Sequence, residues 1–220
     1  MSFGSGRHLA YPISVTIGAM AICLALAPFG DSDQVAALGA VALGIIGYSG
    51  YRIAVAQGLL AFWPSGTVRT VSVSRMRQQH RLVSRSWLEI SGTGRPRWLP
   101  VYFDPDLLTL TETRADLTDR TIHLAGHRLY PSGRISTTEP PGRLVDNPSR
   151  PDPDAAALTA TATRLRRRLV LDAQSTVAAP FAALMWIYID GGGFTTFLAA
   201  TCVAAAAALW LSAIRGSDPS

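Results

Sequence analysis

Few residues in this chain have the chemistry for catalysis or metal binding. The histidines are His8, His80, His123 and His127, the cysteines are Cys23 and Cys202, and every one of the 20 basic residues is arginine. Without lysine there is no phosphate-loop lysine, no Schiff-base amine and no kinase lysine, which argues against nucleotide hydrolysis and pyridoxal chemistry. His123 and His127 are four apart, but Gly126 and the alternating pattern around them point to strand and turn. A metal pair at that spacing would want one face of a helix. Asp104 and Asp106 flank Pro105, a setting in which aspartate serves a turn through its own hydrogen bonds. No Gly-rich phosphate loop follows a strand, and no histidine falls within an apolar stretch where an intramembrane Ser–His protease would need one. The expectation is a protein that is not an enzyme, with no catalytic residue, no cofactor and no metal.

The elements that would carry these residues are mostly apolar. Residues 9–29, 35–63, 173–189 and 194–214 are nearly uncharged. A bilayer core of about 30 Å needs about 20 such residues in a helix. The first and fourth stretches reach that length, the third lies at its lower limit, and the second exceeds it and is interrupted by Arg52. The expected architecture is an integral membrane α-helical protein with four transmembrane helices in two hairpins and an inserted small β-rich cytoplasmic domain. Its parts are an N-terminal hairpin (1–64), the β-rich domain (65–138), a Pro-rich linker (139–153), a helix running into the C-terminal hairpin (154–214) and a tail (215–220).

Charge placement orients the chain. Residues 65–174 hold 17 arginines against 11 acids, whereas the two short interhelical turns carry Asp31, Asp33 and Asp190 and no base. Arg7 precedes the first span and Arg215 follows the last. The positive-inside rule then puts both termini and the large domain in the cytoplasm of an inner-membrane, multi-pass protein. A basic composition spread in this way gives no reason to expect a nucleic-acid partner. Arg164, Arg166, Arg167 and Arg168 lie just below the third span. They form either an anionic-lipid site or a topology signal. Arg52 sits at headgroup depth, where its long side chain can snorkel.

The second span carries small residues at four-residue spacing: Ala36, Ala40 and Gly44, then Gly50, Ala54 and Gly58. This pattern lets two helix backbones approach closely in lipid, within the hairpin or against another subunit. Trp63 reads as an interfacial anchor and Pro64 as the helix stop, while Pro180 marks a kink in the third span. Cys23 and Cys202 fall at similar depths in the first and last spans and read as packing residues, able to crosslink only if those helices are neighbours.

Between the hairpins, Val68, Val71 and Val73 begin a strand. Residues 86–90 and 97–103 form a hairpin about Gly92-Thr93-Gly94, with Pro100 marking an edge. Residues 107–113 alternate as a half-buried strand would, and short strands on either side of Gly126 follow. Strands this short and regular point to a small barrel or sandwich.

Three runs carry a resemblance. They are Arg97-Trp98-Leu99-Pro100-Val101-Tyr102-Phe103-Asp104-Pro105, His127-Arg128-Leu129-Tyr130-Pro131-Ser132-Gly133-Arg134 and Pro141-Gly142-Arg143-Leu144-Val145-Asp146-Asn147-Pro148. Together they resemble the LucB-type accessory subunits of the actinobacterial MCE (mammalian cell entry) lipid importer. The resemblance implies a non-catalytic interaction subunit of a multi-protein fatty-acid import complex in the membrane, whose permease and other subunits are separate chains. The residues alone leave alternatives: a standalone membrane protein whose β domain binds anionic lipid headgroups, or a membrane enzyme.

Overall fold

The computed structural model of the chain describes residues 8–63, 69–92, 94–110, 112–147 and 154–220. Arg7, Pro64, Val68, Thr93, Pro148, Pro151, Asp152 and Pro153, which figure in the sequence reading, lie outside the described residues. Among the described residues, four helical stretches are long and apolar enough to cross a membrane: Ala10–Phe29, Ser32–Ala56, Leu165–Asp190 and Phe194–Ile214. The first comprises α1 (Ala10–Leu26) and a 3₁₀ turn, and the second is α2 (Ser32–Ala56). Asp31 caps α2 by accepting from the backbone amides of Asp33 and Gln34, which accounts for acid in this tight turn.

The segment before the third span is broken where one continuous helix was expected. A short helix, α3 (Ala155–Ala162), ends before α4 (Leu165–Ala173), and a 3₁₀ stretch over Gln174–Ala178 precedes α5 (Ala179–Asp190). Pro180 stands in the first turn of α5, so the irregular stretch lies where its missing N–H and its ring disfavour a continuous helix. The last span is α6 (Phe194–Ile214).

α6 is the hub of the bundle. Tyr11, Val15, Ala19 and Cys23 form a stripe on α1 at four-residue spacing, buried against Ala206, Trp210, Ala213 and Ile214 of α6 and Ile45 of α2. α5 packs on α6 as the other half of its hairpin. The run of alanines in α6 keeps its surface low enough for close packing. The Trp210 indole N–H donates to Ser49 Oγ of α2 at 2.9 Å, satisfying both inside the bundle. The first and last spans are therefore neighbours, yet the free thiols face differently, with Cys23 in the seam and Cys202 exposed.

The inserted domain is a seven-stranded antiparallel sheet: β1 (Arg69–His80), β2 (Val83–Ser91), β3 (Arg97–Val101), β4 (Thr113–Leu117), β5 (Ile122–Leu124), β6 (His127–Leu129) and β7 (Arg143–Asp146). The order is β3-β2-β1-β4-β5-β6, with β7 added beside the distal half of β1. The sheet curls until the chain leaving β6 bonds to β3 through the bridges Val101–Pro131 and Trp98–Ser136. It thus approaches the expected barrel, closed by isolated bridges. Pro100 lies on β3, at one end of the strand order.

Three expectations need correction here. Residues 107–113 do not form one strand, because Asp104 caps a 3₁₀ turn over Pro105–Thr109 and β4 starts only at Thr113. Residues 143–146, placed in the linker, are β7, held by a ladder to β1 that local composition does not reveal. The second span ends at Ala56, not Trp63: Gly58 takes φ +75° and turns the chain toward the sheet. Phe62 and Trp63 are buried in the sheet core with Val73, Leu88, Ile90 and Leu99, and the Arg97 guanidinium lies over the Trp63 ring at 4.9 Å.

Residues after α6 run along the sheet as a strap. Ser217 bridges to Arg85, the Asp218 amide donates to Ser84 O, and Gly216 takes φ +82°. A Cβ at Gly216 would lie 2.7 Å from Ser132 Oγ and 3.1 Å from Val101 O. Gly216→Ala is therefore expected to destabilise the fold by about 1–3 kcal/mol. A lowered melting temperature together with faster proteolysis of the strap would show it, and wild-type values for both would refute the close approach.

Candidate functional site

Polar side chains that sequence reasoning did not single out gather where the bundle meets the sheet. The first centre is Asp172, at the end of α4 and 4% exposed. Its Oδ1 accepts from Ser212 Oγ at 2.8 Å, and its Oδ2 accepts from Tyr11 OH at 2.5 Å and Ser217 Oγ at 2.9 Å. One carboxylate thus joins α1, α4, α6 and the strap.

The second centre is Asp218, on the strap and 2% exposed. It accepts from Arg75 Nη2 at 2.6 Å, Ser86 Oγ at 2.5 Å, and the Ser220 amide and hydroxyl at 3.0 and 2.7 Å. Arg75 also donates to Asn147 Oδ1 at 2.8 Å, and the Asn147 amide donates to the carbonyls of Leu107 and Leu110. Burial works to raise the Asp218 pKa, but the Arg75 charge and the bonds from Ser86 and Ser220 outweigh it and hold the carboxyl below the usual range.

The proposed arginine cluster divides. Arg164, Arg166 and Arg167 are exposed, but Arg167 also donates from Nε to Pro219 O at 2.8 Å, and the half-buried Arg168 lies 4.0 Å over the Tyr11 ring. Arg52 does not simply reach for headgroups. It donates from Nε toward Ile214 O at 3.4 Å, where Tyr102 OH also donates at 2.8 Å, so both satisfy the end of α6. Burial pushes the Tyr102 phenol up to about 12, which keeps it a donor. Arg52 and Arg215 both lie over the Tyr48 ring, at 5.5 and 5.9 Å. Burial, then the charges of Arg215 and Arg52, bring the Arg85 pKa down to about 10. No described acid forms an ion pair with any of these three arginines.

The small residues of α2 also divide. Ala36, Ala40, Gly44 and Gly50 are exposed, and a Cβ added at Gly44 or Gly50 meets no atom within 4 Å. Ala54 is half-buried, and Gly58 lies beyond the helix, where a Cβ would stand 3.0 Å from Arg120 O. Between the hairpins is an apolar cavity of about 290 Å³, lined by residues including Leu38, Val41, Ala183, Trp186 and Val203.

The third polar centre joins residues distant in sequence. His8, just before α1, His127 of β6 and Asp104 after β3 each place one ligand-type atom within 4.8 Å of the others. His127 thus finds its partners across the fold, not in His123, which pairs with Asp116 across the β5–β4 ladder. Comparison of the chain with protein-family models, curated proteins and solved structures gives no match.

Because the folded-state pKa of Asp218 is depressed, its stabilisation is present above the ordinary value of 3.8 and is lost as pH falls through the folded value. Asp218→Asn leaves Arg75 buried without its counter-charge and is expected to destabilise the protein by about 3 kcal/mol at neutral pH. Stability measured between pH 7 and pH 3 should also fall less steeply in the variant. Parallel acid profiles would remove Asp218 from the account.

Proposed function

We propose that this chain is a non-catalytic accessory subunit of a multi-protein membrane lipid importer, of the MCE type that its sequence runs resemble. The observation that carries this reading is the outward face of α2. Ala36, Ala40 and Gly44 suit close helix contact, all three are exposed, and a Cβ at Gly44 would meet no atom within 4 Å. A helix of a permease or another subunit is the occupant we assign to that face. The absence of lysine and the placement of the polar centres in structural contacts favour an interaction role over catalysis.

His8, near Asp104, and Ser217, bridged to Arg85, lie at opposite ends of the helical part and both touch the sheet domain, so the two ends share its side. The arginine excess of residues 65–174 over the acidic turns supports placing that side in the cytoplasm.

A second reading, in which the domain binds anionic lipid headgroups, is favoured by one observation. Arg52, Arg85 and Arg215 lie close together near Tyr48, with no described acid opposing them. The apolar cavity between the hairpins would take part of an acyl chain under either reading.

Two experiments test these statements. Gly44→Leu should leave the isolated subunit's melting temperature unchanged, since the position is exposed and a Cβ there meets no atom within 4 Å, but should reduce co-purification of partner chains several-fold. Full recovery of the complex would sink the docking assignment. For orientation, a cysteine at the exposed Thr137 in a background free of Cys23 and Cys202 should react with an impermeant reagent only after lysis. Labelling in intact cells would reverse the topology.

A further inference from the structure

The His8–Asp104–His127 centre has a geometry that hydrogen bonding alone does not explain. Asp104 is 2% exposed, and its ion-pair partners among the described residues are the two histidines. Its Oδ1 is occupied by the Asp106 amide at 3.0 Å, which aims Oδ2 at the rings. Nε2 of His127 lies 3.0 Å from that oxygen, an ordinary hydrogen-bond length. Nδ1 of His8 lies at 3.6 Å, too far for a hydrogen bond. Two ligands bound about 2.1 Å from one zinc ion at tetrahedral angles stand about 3.4 Å apart, so both separations from Asp104 Oδ2 are within a few tenths of an ångström of that spacing, and all three ligand atoms lie within 4.8 Å of one another.

The surroundings resemble a prepared site. The Tyr130 ring stacks on His8 with centroids 5.9 Å apart, which fixes the imidazole plane. Asp106 Oδ2 stands 3.9 Å from His127 Nε2, near enough to supply a fourth ligand. The Asp106 side chain is 68% exposed and that of His127 is 35% exposed, so the centre opens to solvent on one side and an ion can enter. Two imidazoles and one or two carboxylates form a donor set suited to a borderline divalent cation. A dication would also neutralise a buried carboxylate that has no ion pair with an arginine among the described residues.

We propose that His8, Asp104 and His127 bind one zinc ion, with Asp106 or water as fourth ligand. The ion pins the start of α1 to the sheet domain. Its ligands come from the residue before the first span, the turn after β3 and the strand β6. The clamp therefore closes the interface on the side where the bundle first enters the domain. The strap, which carries Asp218, makes the corresponding attachment after the last span.

The test uses the full chain, purified in detergent without a metal-binding tag. After equilibration with zinc and removal of the excess, elemental analysis should find one zinc per chain. Zinc should raise the melting temperature relative to chelator-treated protein, and cobalt(II) in its place should give the visible absorption of a tetrahedral site. Asp104→Asn keeps the turn-capping oxygen but loses the anionic ligand, and should weaken zinc binding at least about 10-fold, as should His8→Gln. His80→Gln lies outside the centre and should bind as wild type. Wild-type protein that takes up no zinc overturns the proposal, and so do Asp104→Asn and His8→Gln variants that bind like wild type. Should either ligand variant fold poorly, the zinc-dependent melting shift and cobalt spectrum of the wild-type chain still decide the matter.

Discussion

A carboxylate withdrawn from water must be given a counter-charge or a full set of donors, and the strap of this molecule is built around meeting that demand twice. Asp218 is held by Arg75 and by the hydroxyls of Ser86 and Ser220, and Asp172 by three hydroxyls from three different segments. Neither acid can be satisfied unless the strap lies between bundle and sheet, because Ser217 serves one and Asp218 is the other. The strap position in turn requires a glycine at 216, since a side chain there would run into Ser132. The apolar helices and the sheet are thereby coupled through polar contacts.

Within the bundle the organisation follows from what lipid does and does not reward. Lipid tails solvate leucine as well as another leucine does, so helices associate where surfaces are low and backbones can approach. The alanine-rich α6 receives α1 on one side and α5 on the other, and the one buried indole donor is satisfied by a serine on α2. α2 keeps its own small residues turned outward. That surface is exposed within the chain, and at Gly44 a Cβ would find no neighbour within 4 Å.

The sheet domain was only partly legible in the sequence. The β2–β3 hairpin declared itself because Gly92 and Gly94 punctuate two apolar runs, and Ala125-Gly126 marks the turn between β5 and β6. The second half of β1 did not, since Arg75, Arg77, Gln78 and Gln79 read as polar chain until Arg75 is seen paired with a buried acid. β7 was hidden among prolines for a related reason: its existence depends on a ladder to a strand some 70 residues away in sequence. Trp63 illustrates the opposite error. An aromatic residue after an apolar stretch has the marks of an interfacial anchor, and only the turn at Gly58 redirects it into the sheet core.

The sequence by itself determined the four apolar helical stretches, the uneven placement of charge, the tight acidic turn before α2 and an irregularity at Pro180, though not that the helix before it would be broken. These follow from hydropathy, capping and the missing proline N–H, and each is decided within a few residues of chain. Tertiary structure alone decided that Asp172 and Asp218 would be buried, that Arg167 and Arg168 would leave a basic cluster to hold the strap and Tyr11, and that His8 would meet His127 and Asp104. Those outcomes join residues about 20 to 160 positions apart in sequence. Whether an acid, a guanidinium or an imidazole is solvated or partnered is set by what the rest of the fold brings beside it.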